Sequence, residues 1–444
     1  MGDFTAVRLV SASCLRYGRS GQPTKPMIRF ILPTWSFVVL AVSFLLTSLE
    51  LSAGQGLPLA LPETVGMSSQ RLERIRPFVR EYVDEGKVAG VVTLVARHGK
   101  IVYFDSYGER DEEAQKSMEK DTLVRIYSMT KPIAAVGLMM LHEEGAFQLN
   151  EPVSKYLPEF KNLKVLDDGE EVEPRRAMSI QHLLTHTAGL TYGIFGNTPV
   201  DKQYRDAGVL GEKNLDEMID HLADIPLQDH PGEKWHYSVA VDVQGALIER
   251  LSGMPLDQFF RERIFEPLGM HDTFFEVPAD KVDRFAANYR FSRDRGRRLI
   301  DAPGESKFVK EVTFFSAGGG LISTAADYWK FSQMLLNGGY FDGVRLLGRK
   351  TVELMTQNHL PALLEEPDPN STFGFGLGFR VILNVPSTGA PGSEGEYSWG
   401  GAAGTIFWID PKEDLIAVVM IQLMSSPYNL RRELKSLIYQ ALID

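Results

Sequence analysis

Cysteine is nearly absent: one residue, Cys14, stands among 444. The chain beyond its first 53 residues therefore forms no disulfide, offers no thiolate nucleophile and holds no Cys-ligated zinc. No G-x-S-x-G occurs, so an α/β-hydrolase nucleophile elbow has no candidate. Phosphate-binding and dinucleotide-binding glycine signatures are missing too; Gly318-Gly319-Gly320 lacks the following Lys-Ser/Thr and reads instead as a tight strand entry beside a cleft. His182 and His186 have the i, i+4 spacing of a helical zinc pair, but Leu183 stands where a metalloprotease has glutamate, so a packed helix ending at Gly189 is the better reading. No metal and no cofactor is expected. Basic charge is also short: 47 Lys and Arg face 58 Asp and Glu, for a net charge of −11. Without a basic stripe to reverse that sign, nucleic acid is not expected as a partner, and the expected substrate is neutral or small.

What charge the N-terminus has is positive. Residues 1–53 carry Arg8, Arg16, Arg19, Lys25 and Arg29 against Asp3 and Glu50, a net +3, which leaves −14 on the remainder. Phe30 to Leu49 is an uncharged run of 20 residues followed by Ser52-Ala53-Gly54. That order is expected of a signal peptide or an uncleaved membrane anchor, so export is expected, with membrane association confined to residues 30–49. Residues 1–26 are long for a signal peptide; either translation starts at Met27 or the segment is an organellar presequence.

With 44% hydrophobic and 24% charged residues, the rest has the composition of a globular body. A Pro/Gly linker is expected over 54–66 and the body over 67–444. Ser68-Ser69 caps a helix expected to reach about Val83. Val91–Arg97 and Lys100–Tyr107, joined by His98-Gly99, read as a β-hairpin. Helices are expected at Ser179–Thr187, Leu215–Ala223, Val239–Leu251 and Leu256–Phe265. Strands are expected at Thr372–Leu383, Tyr397–Trp399, Thr405–Asp410 and Leu415–Leu423, before a C-terminal helix. Strands at both ends around a helical middle predict an α+β fold: an antiparallel sheet flanked by helices (about 67–150 and 310–444) with an inserted, mostly helical domain (about 151–309).

Ser-x-x-Lys occurs twice, as Ser117–Lys120 and Ser128–Lys131, a pattern that chance supplies about once in such a chain. Context separates the copies. Ser117 lies in a polar stretch. Ser128 follows the strand-like Leu123–Tyr127 and opens an apolar helix, Pro132 to His142, where a first-turn proline is tolerated. There Ser128 and Lys131 share one helix face, and the positive helix terminus favours an alkoxide and an uncharged lysine. The bland reading of Ser128, a simple N-cap, stands at even odds on this motif alone. Tyr237, in Trp235-His236-Tyr237-Ser238-Val239, precedes a second helix and reads either as a phenol aimed into a cleft or as core filling. Tyr397-Ser398-Trp399-Gly400-Gly401-Ala402-Ala403-Gly404 offers backbone amides to a developing oxyanion, or is a plain glycine-rich hairpin.

Taken in order, Ser-x-x-Lys, Tyr-Ser-Val and Trp-Gly-Gly resemble the motifs of the serine β-lactamase and penicillin-binding-protein superfamily. His182–Leu190 and Ser316–Ala325 also look like that superfamily's structural signatures, so the resemblance runs from Pro62 to the C-terminus. It implies Ser128 as acylated residue, Lys131 and Tyr237 as the proton-transfer pair, and the amides of Ser128 and Ala402 as oxyanion hole. Val239 replaces the usual asparagine of the second motif, and Trp399 replaces the lysine of the third. A pocket walled by Trp399, Gly400, Gly401 and Val239 is similar to that of the family VIII carboxylesterases, which implies short-chain esters as substrates. A β-lactamase or D-alanyl peptidase, an acyltransferase using the same acyl-enzyme, and a catalytically silent binding protein are the alternatives.

Overall fold

His98 and Gly99 both sit at positive φ, 50° and 70°, the pair of left-handed residues that a two-residue hairpin turn demands. They join β1 (Gly90–Arg97) to β2 (Lys100–Asp111) in antiparallel register, the expected hairpin extended at its open end. The computed structural model describes residues 56–444, so the leader and its expected membrane segment lie outside the described residues. Among the described residues no helix is long and apolar enough to cross a membrane.

The hairpin belongs to an eight-stranded antiparallel sheet. With β3 (Lys116–Ser117), β4 (Phe373–Phe375), β5 (Arg380–Ile382), β6 (Tyr397–Gly400), β7 (Ile406–Asp410) and β8 (Leu415–Met420), the spatial order is β4-β5-β6-β7-β8-β1-β2-β3. The first and last parts of the chain are thus stitched together at the β1–β8 pair, where Leu94 faces Val418. Both faces of the sheet are covered, so β1 and β8 are buried at every residue and read as continuous apolar runs. Val91 and Val95 turn towards α1 (Ile75–Asp84) and the C-terminal helix α6 (Leu430–Tyr439), while Val92, Leu94 and Ala96 join the larger core on the other face.

That larger core is built on α2 (Thr130–Glu143), buried from Thr130 to Leu141, together with α3 (Ile180–Leu184), α4 (Ala240–Ser252) and α5 (Ala325–Leu336). Gly245 of α4 lets Ala317 approach so closely that an added Cβ would lie 2.8 Å from its methyl.

Several expectations are corrected. Residues 57–66 are not a loose linker: Pro58 and Ala60 bond to Ile101, and Val65 enters the core beneath α1. The helix after Ser68 breaks at Glu73-Arg74 into Ser69–Leu72 and α1. Thr372–Leu383 is a hairpin, because the chain turns at Gly376-Leu377-Gly378, with Gly378 at φ 92°. Leu415–Leu423 is interrupted: Leu423–Met424 leaves the sheet to pair in parallel with a hairpin, Asn288–Ser292 and Gly296–Asp301, that polarity had hidden within the middle segment. The helix at Leu256 keeps α-helical form only to Phe260 and widens to a π-turn over Arg261–Phe265. Residues 57–444 form one compact unit that contains the whole expected body, 67–444.

Candidate active site

Ser128 is delivered by a rigid approach. Val124 and Arg125 pair with Ser323 and Ile322, and the Ile126 amide donates to the Leu321 carbonyl at 3.0 Å. The fully buried Arg125 guanidinium bonds Asp301 (2.8 Å), the Ala286 carbonyl (2.6 Å) and Ser306 (3.1 Å), and lies 4.0 Å from the Phe285 ring. The chain then turns sharply. Tyr127 adopts φ 43°, a left-handed conformation costly for a bulky residue, and its hydroxyl accepts from Asn288 at 2.8 Å. Ser128 follows in a single 3₁₀ turn, Tyr127–Met129, directly before α2, and Tyr328 fixes that junction by donating to the Met129 carbonyl at 2.9 Å.

Lys131, one turn on and 2% exposed, brings its Nζ 3.2 Å from Ser128 Oγ and also donates to the Gly318 carbonyl. The Tyr237 hydroxyl donates to Ser128 Oγ at 2.7 Å across 109 residues. Tyr237 is aimed by its extended lead-in: the His236 amide bonds the His186 carbonyl (2.8 Å), the Ser238 amide bonds His186 Nδ1 (3.3 Å), and the Val239 amide bonds the Thr191 carbonyl (3.2 Å). The Lys131 ammonium position lies 4.8 Å from the Tyr237 ring centre and 5.2 Å from that of Tyr192. Tyr237 itself is wedged among His186, Tyr192, Trp235 and Trp399, with ring centres 5.0–6.3 Å apart.

A cavity of about 500 Å³ opens above this trio, and Ser128, Tyr237, Gly318, Gly319, Gly320 and Ala402 all line it. The Gly401–Gly404 turn docks on the nucleophile's own segment: Thr405 Oγ1 donates to the Ile126 carbonyl at 3.4 Å, and a Cβ on Gly401 would overlap that carbonyl. Trp399, Gly400 and Gly401, expected in the pocket, are half-buried beside it but do not line the cavity, because Trp399 is seated between Tyr237 (5.5 Å) and Phe375 (5.4 Å). Val239, expected in the pocket wall, is not there. It is 0% exposed in the core at the start of α4, because its amide ties the backbone to Thr191 and turns the apolar side chain inward.

Asp242 carried no role in the sequence reading, although it stands in the second motif. Its Oδ1 accepts from Ser316 Oγ (2.7 Å) and from the Gly318 amide (2.9 Å), so it anchors the glycine whose carbonyl holds Lys131. Burial pushes its carboxyl up, and nearby Lys131 opposes that shift. Tyr192 is the other omission; burial, then its neighbour Tyr237, raises its phenol far above the ordinary range. Neither contact has a local sequence signal. His182 and His186 serve the scaffold: His182 Nδ1 accepts from the Ser179 amide in a capping box, and burial drops its pKa to about 4. His186 is held neutral by burial and by the nearby Lys131. Among the described residues no cluster of metal-ligating groups occurs.

A serine hydroxyl shared by lysine and tyrosine on the floor of an open cavity is the equipment of a serine hydrolase. The Beta-lactamase family model matches residues 75–440, and the chain belongs to that family. It is similar to Protein Rv1367c of Mycobacterium tuberculosis, 38% identical over 361 residues covering 78% of this chain and 88% of that one. Esterase EstB of Burkholderia gladioli is 32% identical over 344 residues, 73% of this chain and 84% of its own. Among solved structures, EstCE1, a hydrolase with promiscuous acyltransferase activity, superposes with a TM-score of 0.72 at 28% identity, covering 84% of this chain and 99% of its own.

Proposed function

We propose that this protein is a carboxylesterase that hydrolyses short-chain esters through an acyl-enzyme on Ser128. The observation that carries the reading is the pair of distances to one oxygen: Ser128 Oγ lies 3.2 Å from Lys131 Nζ and 2.7 Å from the Tyr237 hydroxyl. Lys131 takes the serine proton as Oγ attacks the ester carbonyl. The charge that develops on the carbonyl oxygen falls to the amides of Ser128 and Ala402. Tyr237 hands a proton to the departing alkoxide, is recharged from Lys131, and the pair then activates water against the acyl-enzyme.

Charge in the cavity favours an ester over a β-lactam. Its walls include Asp242, Glu212 and Glu311 but one cation, the exposed Lys307, and in the third motif the resemblance sets Trp399 at the position of a carboxylate-binding lysine. Ile194, Phe195, Leu210 and Phe314 add apolar wall that suits an acyl chain. These features support a reading as an esterase of the family VIII type. The likeness to EstCE1 supports a second outcome for the same intermediate, transfer of the acyl group to an alcohol. Hydrolysis of p-nitrophenyl butyrate, with and without an added alcohol, separates the two: turnover that yields only butyrate is esterase action, and an accumulating butyrate ester of the added alcohol is transfer. Export through residues 30–49 is part of the same proposal, tested by fractionating cells that express the full chain.

A further inference from the structure

Ser398 neighbours Trp399 on β6 but points to the opposite face of the sheet, as alternation along a strand requires. On that face Arg380 of β5 and Arg431, Arg432 and Lys435 of α6 surround a hollow of about 220 Å³ that Thr388 and Asn429 also line. Four cations meet a single carboxylate. Glu396 is 0% exposed, and both its oxygens are already taken by Lys435 Nζ, at 2.7 and 2.6 Å, with Tyr439 also donating to one of them at 3.0 Å. Arg431 reaches Glu396 only at 3.9 Å.

Arg380 has less. Its terminal nitrogen donates to Ser398 Oγ at 3.3 Å, and Arg431 uses the same oxygen at 2.7 Å. Its buried Nε has no partner among the described residues, nor does any carboxylate there form an ion pair with it. Two guanidinium groups thus converge on one neutral hydroxyl, in a chain whose net charge is −11. Burial, and then Arg431, pulls Arg380 down to about 9, with Glu396 offsetting only part of that shift. Unpaired buried donors and crowded like charges are costly, and planar guanidinium forks match the oxygens of a phosphate or sulfate.

We propose that this hollow binds a small tetrahedral oxyanion, of the phosphate or sulfate class, held by Arg380 and Arg431 with Arg432 at its mouth. The site lies behind the strand that carries Trp399 and is separate from the cavity above Ser128. The hollow's size fits a free anion or the head of a small phosphomonoester.

Thermal denaturation of the full chain in sodium phosphate, against sodium chloride at equal ionic strength, tests it. At a hundredfold excess over Kd, phosphate raises Tm by about 3 °C for a body of this size, and calorimetry finds one anion per chain. R380Q, which removes the cation without a carboxylate, melts no lower than the unmodified protein in chloride yet loses the phosphate-dependent rise. R432Q, an exposed substitution that gives up one hydrogen bond to the Gly389 carbonyl, weakens phosphate binding about tenfold, as the loss of one charge-assisted hydrogen bond of about 1.4 kcal/mol would. Glycerol phosphate binding as tightly as inorganic phosphate assigns the site to phosphomonoesters; inorganic phosphate binding alone assigns it to the free ion. An equal rise in chloride, or a phosphate-dependent rise undiminished in both variants, overturns the proposal.

Discussion

Asp242 accepts the Gly318 amide hydrogen at 2.9 Å, and through that glycine it sets where Lys131 meets Ser128. The carboxylate touches no reacting atom. It is a positioning residue, and its oxygen Oδ1 also takes Ser316. Asp242→Ala leaves two buried donors unpaired, costing about 1–3 kcal/mol of stability, and lowers kcat about 10- to 100-fold as Lys131 loses its seat. Asp242→Asn keeps an oxygen in the Oδ1 position and restores kcat to within about tenfold of the unmodified enzyme. Equal kcat in all three proteins, on p-nitrophenyl butyrate at saturation, would remove Asp242 from the account.

The glycine turn offers a second test. A methyl group on Gly401 overlaps the Ile126 carbonyl and Thr405 Oγ1, so Gly401→Ala pushes the turn away from the nucleophile's segment and displaces the Ala402 amide. Loss of one oxyanion donor costs about 10²- to 10³-fold in kcat with little change in KM. A variant that loses binding but keeps kcat would mean that this turn shapes the pocket and stabilises no oxyanion.

These long-range contacts mark the limit of what the chain discloses on reading. Ser128 and Lys131 were legible because they are one helical turn apart, and Tyr237 because a helix start follows it. The Asp242–Gly318 contact joins positions 76 apart, and nothing local encodes it. Val239 was misplaced because its motif position suggested a pocket, whereas its apolar side chain has more to gain in the core. Thr372–Leu383 read as one strand because its apolar residues hid a turn at Gly376–Gly378.

Acid stability follows from the two neutral histidines. His182, with a pKa near 4 in the fold against 6.5 unfolded, leaves the unfolded chain holding more protons between those values. Stability is therefore full above pH 6.5 and falls as the pH drops towards 4, and His186, depressed in the same direction, adds to the slope. Melting temperatures measured from pH 7 to pH 4 should fall continuously. His182→Gln keeps an acceptor for the Ser179 amide and should flatten that fall; an unchanged slope would place the acid sensitivity elsewhere.

The proposed preference for esters is tested at Trp399. A β-lactam carboxylate finds no lysine there, forfeiting a charge-assisted hydrogen bond of roughly 1.5–3 kcal/mol, or about ten- to a hundredfold in kcat/KM. The value for p-nitrophenyl butyrate should exceed that for nitrocefin by at least that ratio. Trp399→Lys narrows the gap mainly from the ester side, since it also removes the indole packed against Tyr237. Comparable turnover of ester and penicillin by the unmodified enzyme would favour a β-lactamase.

The central claim is that Ser128 is the acylated residue, and the chain contains its own control. Ser117, in the other Ser-x-x-Lys, is exposed on edge strand β3, with its carbonyl held by Arg110. Ser128→Ala should lower esterase kcat at least about a thousandfold and Ser117→Ala should leave it near normal. The most direct measurement is mass spectrometry of the enzyme after inactivation by a p-nitrophenyl phosphonate. A single phosphonyl group on the peptide carrying Ser128 is the predicted result. A label on Ser117, or inactivation with Ser128 unmodified, would contradict the account.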